Sequence, residues 1–466
     1  MPRSLFGAAP VHITASNRMR IRLLQLRDVL KDSFWFIPAL MALTATVLAL
    51  YLVSVDHVLG SDWVKNFGWI WSGGPDGARS VLATVAGSMM TVISIVFSLT
   101  ITTLAQTSSH FGPRVLRNFT SHRGVQFTLG VFIATFVFCL LVLRTVRSVQ
   151  ESEFVPYLAV NVGVLLTLSS LAVLIYFIHH IAQSIQAERL IADVGRDIMA
   201  VLGAQFPNKK EETRHSAEPS PAMWEQARTL AHDDNGYVQH FDLQTLIVRA
   251  AQIDVIVRVH ARPGDFVWGG APLLDVLPPE RVTAEVRDRL VRCFSLGRRR
   301  TPRQDAVYAV QQLVEIAAHA LSPGINEPFT ALACIDWLGA ALALVTHGNF
   351  SSEQCFDEQG ALRALVRPVT FDELAHTSFD QIRLYGANNT DVMLRLLGLV
   401  GALAGRTSRK EIRRVLSHHA NLIATDSAHI VNAQDRQRVM EAHAATLNAL
   451  AKGRSDVNST ELSNAL

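Results

Sequence analysis

The first 180 residues contain four long stretches without a charged side chain. They cover residues 34–55, 80–109, 124–143 and 154–178 and are 20 to 30 residues long. A helix that crosses the hydrocarbon layer needs about 20 apolar residues, because this layer is about 30 Å thick and each residue rises about 1.5 Å. Core helices of a soluble protein rarely reach this length four times in succession. The sequence therefore predicts an α-helical polytopic membrane protein with four transmembrane helices, followed by a cytoplasmic α+β domain that is mostly helical.

The composition agrees with a chain that lies partly in lipid. Charged residues make up 18% of the chain and the mean hydropathy is +0.22, whereas soluble domains carry about 25% charged residues. The net charge of +3 is too small to indicate a nucleic-acid partner. The four cysteines show neither a C-x-x-C spacing nor a Cys/His metal pattern. We therefore expect no disulfide framework, no metal and no cofactor.

The distribution of lysine and arginine predicts the orientation, because these residues are enriched in cytoplasmic loops. Residues 1–33 contain six of them and the loop 110–123 contains three, whereas the loops 56–79 and 144–153 contain two each. We therefore expect both termini, and everything after residue 178, in the cytoplasm. Segment 1–33 interleaves apolar and cationic residues, which fits an amphipathic helix on the inner leaflet or an extension of the first span.

The second stretch carries an ordered stripe of hydroxyl side chains. Spacings of 3, 3, 4 and 4 residues place its members on one face of a helix; they are Ser88, Thr91, Ser94, Ser98 and Thr102. Hydroxyls on one face either pack against a neighbouring helix or line a polar path such as a pore. The four stretches themselves hold no charged residue, which argues against a proton pump or a voltage sensor.

A pore along this stripe requires several copies of the chain, because four helices do not easily enclose a channel within one protomer. The expected partners are then the lipid bilayer, further copies of the chain in a homo-oligomer, and inorganic ions. The inner mouth of such a pore would lie near His110, Arg114 and Arg117, whose charges favour anions.

The whole chain is expected to divide into six segments. We predict a cytoplasmic amphipathic segment (1–33), a four-helix transmembrane domain (34–183), a connecting helix and linker (184–235), a small β-containing unit (236–280), a helical domain (281–452) and a disordered tail (453–466). In the β-containing unit, the alternating residues 254–260 predict a strand, and the Gly- and Pro-punctuated residues 262–274 predict a hairpin.

An αα-hairpin is expected in the helical domain. Thr301 and Pro302 resemble an N-cap and N1 pair that starts a helix running to about Leu321. The segment SPGIN at 322–326 breaks this helix, and Asn326 is expected to cap the next one. The polar residues here form no recognisable catalytic set, because they show neither a nucleophile elbow nor metal-ligand spacing. The residues of this cytoplasmic motif are Asp305, His319, Ser322, Pro323, Gly324, Asn326 and Glu327.

Two segments carry a resemblance to a known family. One is GSMMTVISIVFSLTITTLAQTSSHFGPRVLRNF, at the second span, and the other is RQDAVYAVQQLVEIAAHALSPGINEPFTALACIDWL, in the second half. Together they resemble a widespread family of predicted bacterial membrane proteins known only as a domain of unknown function, over about residues 20–450. The resemblance implies a bacterial inner-membrane location. It implies no activity, and no catalytic or ligand-binding residue carries over from it.

Three functions remain open at this point. The first is an oligomeric ion channel with a hydroxyl-lined pore and a cytoplasmic gating or vestibule domain. The second is a membrane-anchored sensor or interaction scaffold that acts through its cytoplasmic domain. The third is a membrane enzyme, for which the sequence offers no supporting motif.

Overall fold

A computed structural model describes most of the chain, in seven ranges. These are residues 35–59, 74–111, 123–147, 154–184, 187–206, 216–348 and 353–452. The chain forms two compact units, Met1–Gln186 and Ala187–Leu466, which we call the membrane unit and the second unit. The predicted amphipathic segment 1–33 and the predicted tail 453–466 lie outside the described residues.

Four helices make up the described part of the membrane unit, and they confirm the four predicted spans. They are α1 (Phe36–Leu59), α2 (Pro75–Phe111), α3 (Arg123–Thr145) and α4 (Tyr157–Ser184). Each is long and apolar enough to cross a membrane. With 37 residues, α2 is about 55 Å long at about 1.5 Å per residue, well beyond the thickness of the hydrocarbon layer.

Helix α3 is the core of the membrane unit, and the other three helices pack around it. Phe132, Phe138 and Val142 on α3 are almost fully buried. Gly130 lets α1 approach closely, since a Cβ atom there would lie 2.5 Å from the sulfur of Met41. Small residues at such crossings bring helix backbones together, which is how membrane helices gain packing energy in lipid.

The ends of the spans carry charges that the predicted stretches did not include. Helix α1 continues past residue 55, and its last turns contain Asp56, which is only 4% exposed. Its two carboxylate oxygens accept the backbone N–H groups of Leu158 and Ala159, each at 3.0 Å. The predicted stretch 34–55 itself holds no charged residue, but α1 is longer than that stretch and so includes Asp56. Asp56 is tolerated because the N-terminus of α4 supplies free N–H donors and a positive dipole.

The second unit contains two β-sheets. Their strands are β1 (Arg228–Ala231), β2 (Gly236–Phe241), β3 (Ile256–Val259), β4 (Phe266–Val267), β5 (Pro272–Leu277), β6 (Phe294–Gly297), β7 (Gln354–Phe356) and β8 (Leu362–Leu365). One sheet has the order β1-β5-β3-β8-β7 and the other the order β4-β2-β6. Only the β3–β8 pair is parallel among these described strands. The sheets thus draw on strands before residue 236 and after residue 280.

The strand predicted at 254–260 is confirmed as β3, but the hairpin predicted at 262–274 is wrong. Strand β4 pairs with β2, whereas β5 pairs with β1 and β3, so the two belong to different sheets. The glycines and prolines between them mark turns correctly. Turn residues do not specify which strand becomes the partner. The pairing depends on which apolar side chains of β4 and β5 become buried in each sheet.

Ten helices complete the described part of the second unit. They are α5 (Ala187–Gln205), α6 (Pro221–Glu225), α7 (Leu243–Ile253), α8 (Ala284–Val291), α9 (Ala306–Ala320), α10 (Pro328–His347), α11 (Phe371–Tyr385), α12 (Thr390–Gly405), α13 (Lys410–Asp426) and α14 (Ala433–Ala451). Helix α10 is also long and apolar enough to span a membrane. It packs on α5, α9 and α12, and a Cβ atom at Gly195 of α5 would lie 2.4 Å from the ring of Trp337. Burial among helices accounts for its apolar composition.

Two predicted helix caps are wrong. Helix α9 begins at Ala306, and its N-cap is Asp305, whose side chain accepts the N–H of Tyr308. Thr301 instead directs its hydroxyl to the carbonyl of Gln239. At the next helix, Glu327 occupies the N-cap position of α10. Asn326 lies one residue earlier, with a left-handed φ of 51°, and serves the turn rather than the helix.

Candidate functional site

The hydroxyl stripe of α2 lies on the face of the helix that points away from the rest of the membrane unit. All five members are exposed, namely Ser88, Thr91, Ser94, Ser98 and Thr102. Each of them is two residues from a buried position, and these buried positions are Ala86, Met89, Val96 and Thr100. Two residues correspond to about 200° around a helix. The stripe and the packed face are therefore on opposite sides of α2.

Most hydroxyls of the stripe donate to carbonyl groups of their own helix. Ser94 donates to the carbonyl of Met90 at 2.9 Å and Thr102 to that of Ser98 at 3.0 Å. Ser88 bonds the carbonyl of Val85 at 2.9 Å in the same way. A hydroxyl oxygen that donates its proton keeps two lone pairs. The stripe can thus present acceptor oxygens outward without any backbone group losing its partner.

Hydroxyl groups that serve packing occupy a different set of positions. Thr100, Thr103 and Thr107 lie on the buried face of α2 and are 2 to 5% exposed. Between α3 and α4, the hydroxyls of Thr135 and Ser170 are 2.9 Å apart and fully buried. Packing within one protomer therefore explains these groups and does not explain the stripe.

The outward faces of α1 and α4 differ chemically from the stripe. They expose large aliphatic side chains that suit contact with lipid, among them Leu43, Val47, Leu50, Leu165, Leu168 and Ile175. The hydroxyl side chains of the stripe are small, and at Gly87 a Cβ atom would meet nothing within 4 Å. Helix α2 also exposes large apolar side chains. Ile95 lies between Thr91 and Ser98 on the face of the stripe, and Phe97 and Met90 lie to one side of it. The stripe is thus a narrow polar band on an otherwise apolar surface.

The residues predicted for an inner mouth are mostly beyond what the structure describes. His110 lies in the last turn of α2, and its side chain is not among the described ones. Arg114 and Arg117 lie outside the described residues. The predicted mouth therefore stays a prediction.

In the second unit, Asp305 has a structural environment at the start of α9. It is 4% exposed, caps the helix and forms a two-pronged ion pair with Arg300, with Nε–Oδ2 and Nη2–Oδ1 distances of 2.8 and 2.9 Å. Burial raises the pKa of Asp305, and the N–H of Tyr308 and the guanidinium of Arg300 oppose that shift. Gly264, with a φ of +96°, packs against this carboxylate where a Cβ atom would overlap it.

The SPGIN segment forms the tight turn between α9 and α10. The carbonyl of Ser322 accepts the N–H groups of Ile325 and Asn326 at 3.1 and 2.9 Å, and the carbonyl of Ala320 accepts that of Glu327 at 2.7 Å. Pro323, Gly324 and Glu327 are exposed, and His319 and Ser322 are half-buried. These interactions satisfy the end of α9, so the segment has a clear role in the fold.

The motif residues do not converge on one site. Asp305 lies before the first residue of α9, whereas His319 and Ser322 lie at its last turn and beyond. A helix of 15 residues separates these ends by about 22 Å. Within residues 300–330, which the structure describes throughout, the motif therefore forms a cap and a turn and no catalytic constellation.

Sequence reasoning missed the polar groups that join the membrane helices. Asp56 and the Thr135–Ser170 pair carry no local signal, because a single polar residue in an apolar stretch does not indicate its partner. Arg79, near the start of α2, similarly donates to the carbonyl of Val146 at 3.0 Å. The only sequence signal for this contact is that Arg79 directly precedes the uncharged stretch 80–109, where a helix end is expected.

Comparison with known proteins identifies a family but assigns no activity to it. A family model described as a predicted membrane protein, DUF2254, matches residues 31–402. An uncharacterized protein of Mycobacterium tuberculosis and one of Mycobacterium bovis are each 28% identical to the chain over 413 residues, which is 87% of this chain and 78% of theirs. No solved structure matches the chain.

Proposed function

This chain belongs to the DUF2254 family of predicted membrane proteins, and from that premise we propose that it is a homo-oligomeric ion channel of the bacterial inner membrane. The pore is lined by the hydroxyl stripe of α2, and the second unit serves as a cytoplasmic vestibule or gate. The excess of lysine and arginine in residues 1–33 and 110–123 supports a cytoplasmic location for both termini.

One observation carries this proposal: the five stripe hydroxyls lie opposite the packed face of α2. In a lone protomer this polar band faces lipid, while the neighbouring helices turn aliphatic side chains outward. A ring of copies brings the bands together around an axis and removes them from lipid. Acceptor oxygens along such an axis replace part of the hydration shell of an ion, as pore-lining groups do in other channels.

The length of α2 supports the same arrangement. A helix of 37 residues exceeds the roughly 20 residues that the bilayer needs. The excess extends the hydroxyl-bearing face beyond the hydrocarbon layer, and on the predicted orientation it does so on the cytoplasmic side. The predicted inner mouth at His110, Arg114 and Arg117 would then favour anions.

Conductance in a planar bilayer under a KCl gradient tests the proposal. We expect discrete openings with the wild-type chain and their loss with Ser98→Leu, because the larger side chain fills the polar band. Phe97→Leu is the matched control: it lies at the same depth, is 50% exposed and introduces the same residue beside the stripe. The sign of the reversal potential distinguishes anions from cations.

Two results would contradict the channel. The first is conductance that Ser98→Leu and Phe97→Leu change equally. The second is a chain that is monomeric by mass measurement in nanodiscs and shows no conductance in the planar bilayer across a range of voltage and pH. Its helical content must be intact in both experiments.

The second candidate, a sensor or scaffold, is favoured by a different observation. Phe329 follows the SPGIN turn in sequence and is 81% exposed, and Pro323 and Gly324 in the turn are exposed as well. An exposed aromatic beside a rigid turn suits a protein contact. A scaffold should tolerate Ser98→Leu and lose its role when residues 322–326 are replaced by a glycine-rich turn; a channel should respond in the opposite way.

A further inference from the structure

Helices α11 and α13 bring together a set of nitrogen and oxygen ligands that the channel does not use. His376 and Asp380 are one turn apart on α11, and His419 faces them from α13. One ligand atom from each of the three residues can be chosen so that all three atoms lie within 4.8 Å of one another. The cluster therefore has the composition and the proximity that a metal ion requires.

The distances within the cluster are short but mostly not hydrogen bonds. Nδ1 of His376 lies 3.0 Å from Oδ2 of Asp380. Nδ1 of His419 lies 3.6 Å from Oδ1 of the same carboxylate, which is too long for a hydrogen bond. The ring centroids of His376 and His419 are 4.7 Å apart. The carboxylate thus lies between two imidazoles and is bonded to one of them.

The burial of His419 is the independent observation. Its side chain is fully buried, with 0% exposure. Both of its ring nitrogens, and Oδ1 of Asp380, lack a hydrogen-bond partner among the described residues. An imidazole always has two polar nitrogens to satisfy, and buried polar groups in native proteins are nearly always paired. A group outside the polypeptide would supply the missing partner.

We propose that His376, Asp380 and His419 bind one divalent transition-metal ion of the Zn²⁺ class. Two imidazoles and one carboxylate form a ligand set that Zn²⁺ accepts readily, at bond lengths of about 2.0 to 2.2 Å. Mg²⁺ and Ca²⁺ favour all-oxygen sites, so a pair of histidines selects against them. Small side-chain rotations bring the three atoms to the ligand separations of about 3.3 Å that a tetrahedral ion with such bonds requires.

The three residues leave one coordination position for another ligand. Asp372 precedes His376 by one turn, and its Oδ1 lies 3.6 Å from Nε2 of His376. This carboxylate is exposed and either enters the coordination sphere or orients the imidazole from outside it. The remaining position otherwise belongs to water.

A metal at this site would tie α11 to α13. The same two helices are joined by the ion pair of Arg383 with Asp426, one turn further along α11 and two turns further along α13. That ion pair offsets part of the positive charge of Arg383, which, like His418, acts on His419. The site is thus a second cross-link of the helical layer, and its occupancy controls how firmly α13 is held.

Metal binding by the full-length chain in nanodiscs tests this proposal. The protein is stripped with a chelator, titrated with Zn²⁺, and analysed for metal content after gel filtration; Co²⁺ provides a second probe through its visible absorption. We expect one tightly bound ion per chain, and an affinity lower by about 100-fold or more in Asp380→Asn and His376→Ala. His347→Ala is the control, because His347 is exposed on α10 and remote in sequence from the cluster.

A second readout separates a site from general binding to surface histidines. Zn²⁺ should raise the melting temperature and slow amide exchange in α11 and α13 of the wild type and of His347→Ala, but not of Asp380→Asn. Both test substitutions are at half-exposed positions, so we expect the fold to stay intact. His419→Ala is not used, because at a fully buried position it would change packing as well as metal binding. Retention of no Zn²⁺ by the wild type, or equal titrations for the wild type and Asp380→Asn, would overturn the proposal.

Discussion

The carboxylate of Asp56 and the backbone N–H of Ala159 are 3.0 Å apart, although 103 residues separate them in the chain. The contact joins the last turns of α1 to the first turn of α4. A carboxylate placed there accepts N–H groups that no residue of α4 itself can satisfy and lies at the positive end of the helix dipole. One side chain therefore acts as the N-terminal cap of a helix elsewhere in the sequence.

Asp56→Ala should destabilise the membrane unit by about 1 to 2 kcal/mol, because it leaves two buried N–H donors unpaired. The measurement is the melting temperature in detergent, followed by far-ultraviolet circular dichroism. Asp76→Ala is the control, since Asp76 is exposed in the first turn of α2. Equal shifts for both variants would contradict the cap.

The hydroxyls of Thr135 and Ser170 form a hydrogen bond between α3 and α4. In a double-mutant cycle with Thr135→Val and Ser170→Ala we expect a coupling energy of about 0.6 to 1.7 kcal/mol, the range for interhelical bonds in membranes. The cycle is measured by unfolding in mixed micelles. Additive effects of the two substitutions would show that the hydroxyls are satisfied by carbonyls of their own helices alone.

Substitutions at two glycines of the second unit can distinguish the cost of backbone strain from the cost of steric overlap. Gly264 and Gly270 both have a positive φ, at +96° and +85°, but only at Gly264 would a Cβ atom meet other atoms within 4 Å, those of Asp305 and Arg300. Gly270→Ala should cost about 1 kcal/mol for the left-handed backbone. Gly264→Ala should cost about 3 kcal/mol, since the cap of α9 must also move. Melting temperatures of the two variants provide the comparison.

Asp275 gives the second unit a dependence on acid pH. Burial tends to raise its pKa, but hydrogen bonds from Arg258, Thr229 and His260 outweigh burial and hold the pKa below its ordinary value. A lowered pKa adds stability that is complete above the unfolded-state value of about 4 and disappears as the pH falls through the lower folded-state value. Asp275 is 6% exposed.

Asp275→Asn should therefore lower the free energy of unfolding by about 2 kcal/mol at pH 7, with a difference from wild type that shrinks below about pH 4. Melting curves between neutral and acid pH measure this difference. The control is Asp233→Asn, because Asp233 pairs with Arg287 but has a side chain that is 84% exposed. A difference at Asp275 that is independent of pH would count against the ionised carboxylate.

The spans were predictable because the bilayer imposes a length and an apolar composition that few other structures require. The stripe of α2 was equally readable, since helical spacing alone places Ser88 and Thr102 on one face. Which face packs against α3 was not readable. That choice depends on the shapes of Ala86, Met89 and Val96 against another helix, and the sequence of α2 contains only half of that fit.

In the second unit, local rules identified β3 but failed at the start of α9, where two residues compete for the cap. Thr301 is a good cap by type, yet Asp305 displaces it because Arg300 and the N–H of Tyr308 both favour a carboxylate at that position. The metal-ligand cluster has a weak sequence signal in the H-x-x-x-D spacing of 376–380. Its third member, at residue 419, becomes a neighbour only through the packing of α11 on α13.

The central position of α3 has a consequence for biogenesis. Helices α1 and α2 leave the ribosome before α3, yet both find their main packing surface on it. The contact faces of these two spans, among them the buried threonines of α2, therefore stay without their main partner until α3 has been synthesised. Assembly begins only when α3 enters, so the order in which the helices are synthesised differs from the order in which they associate.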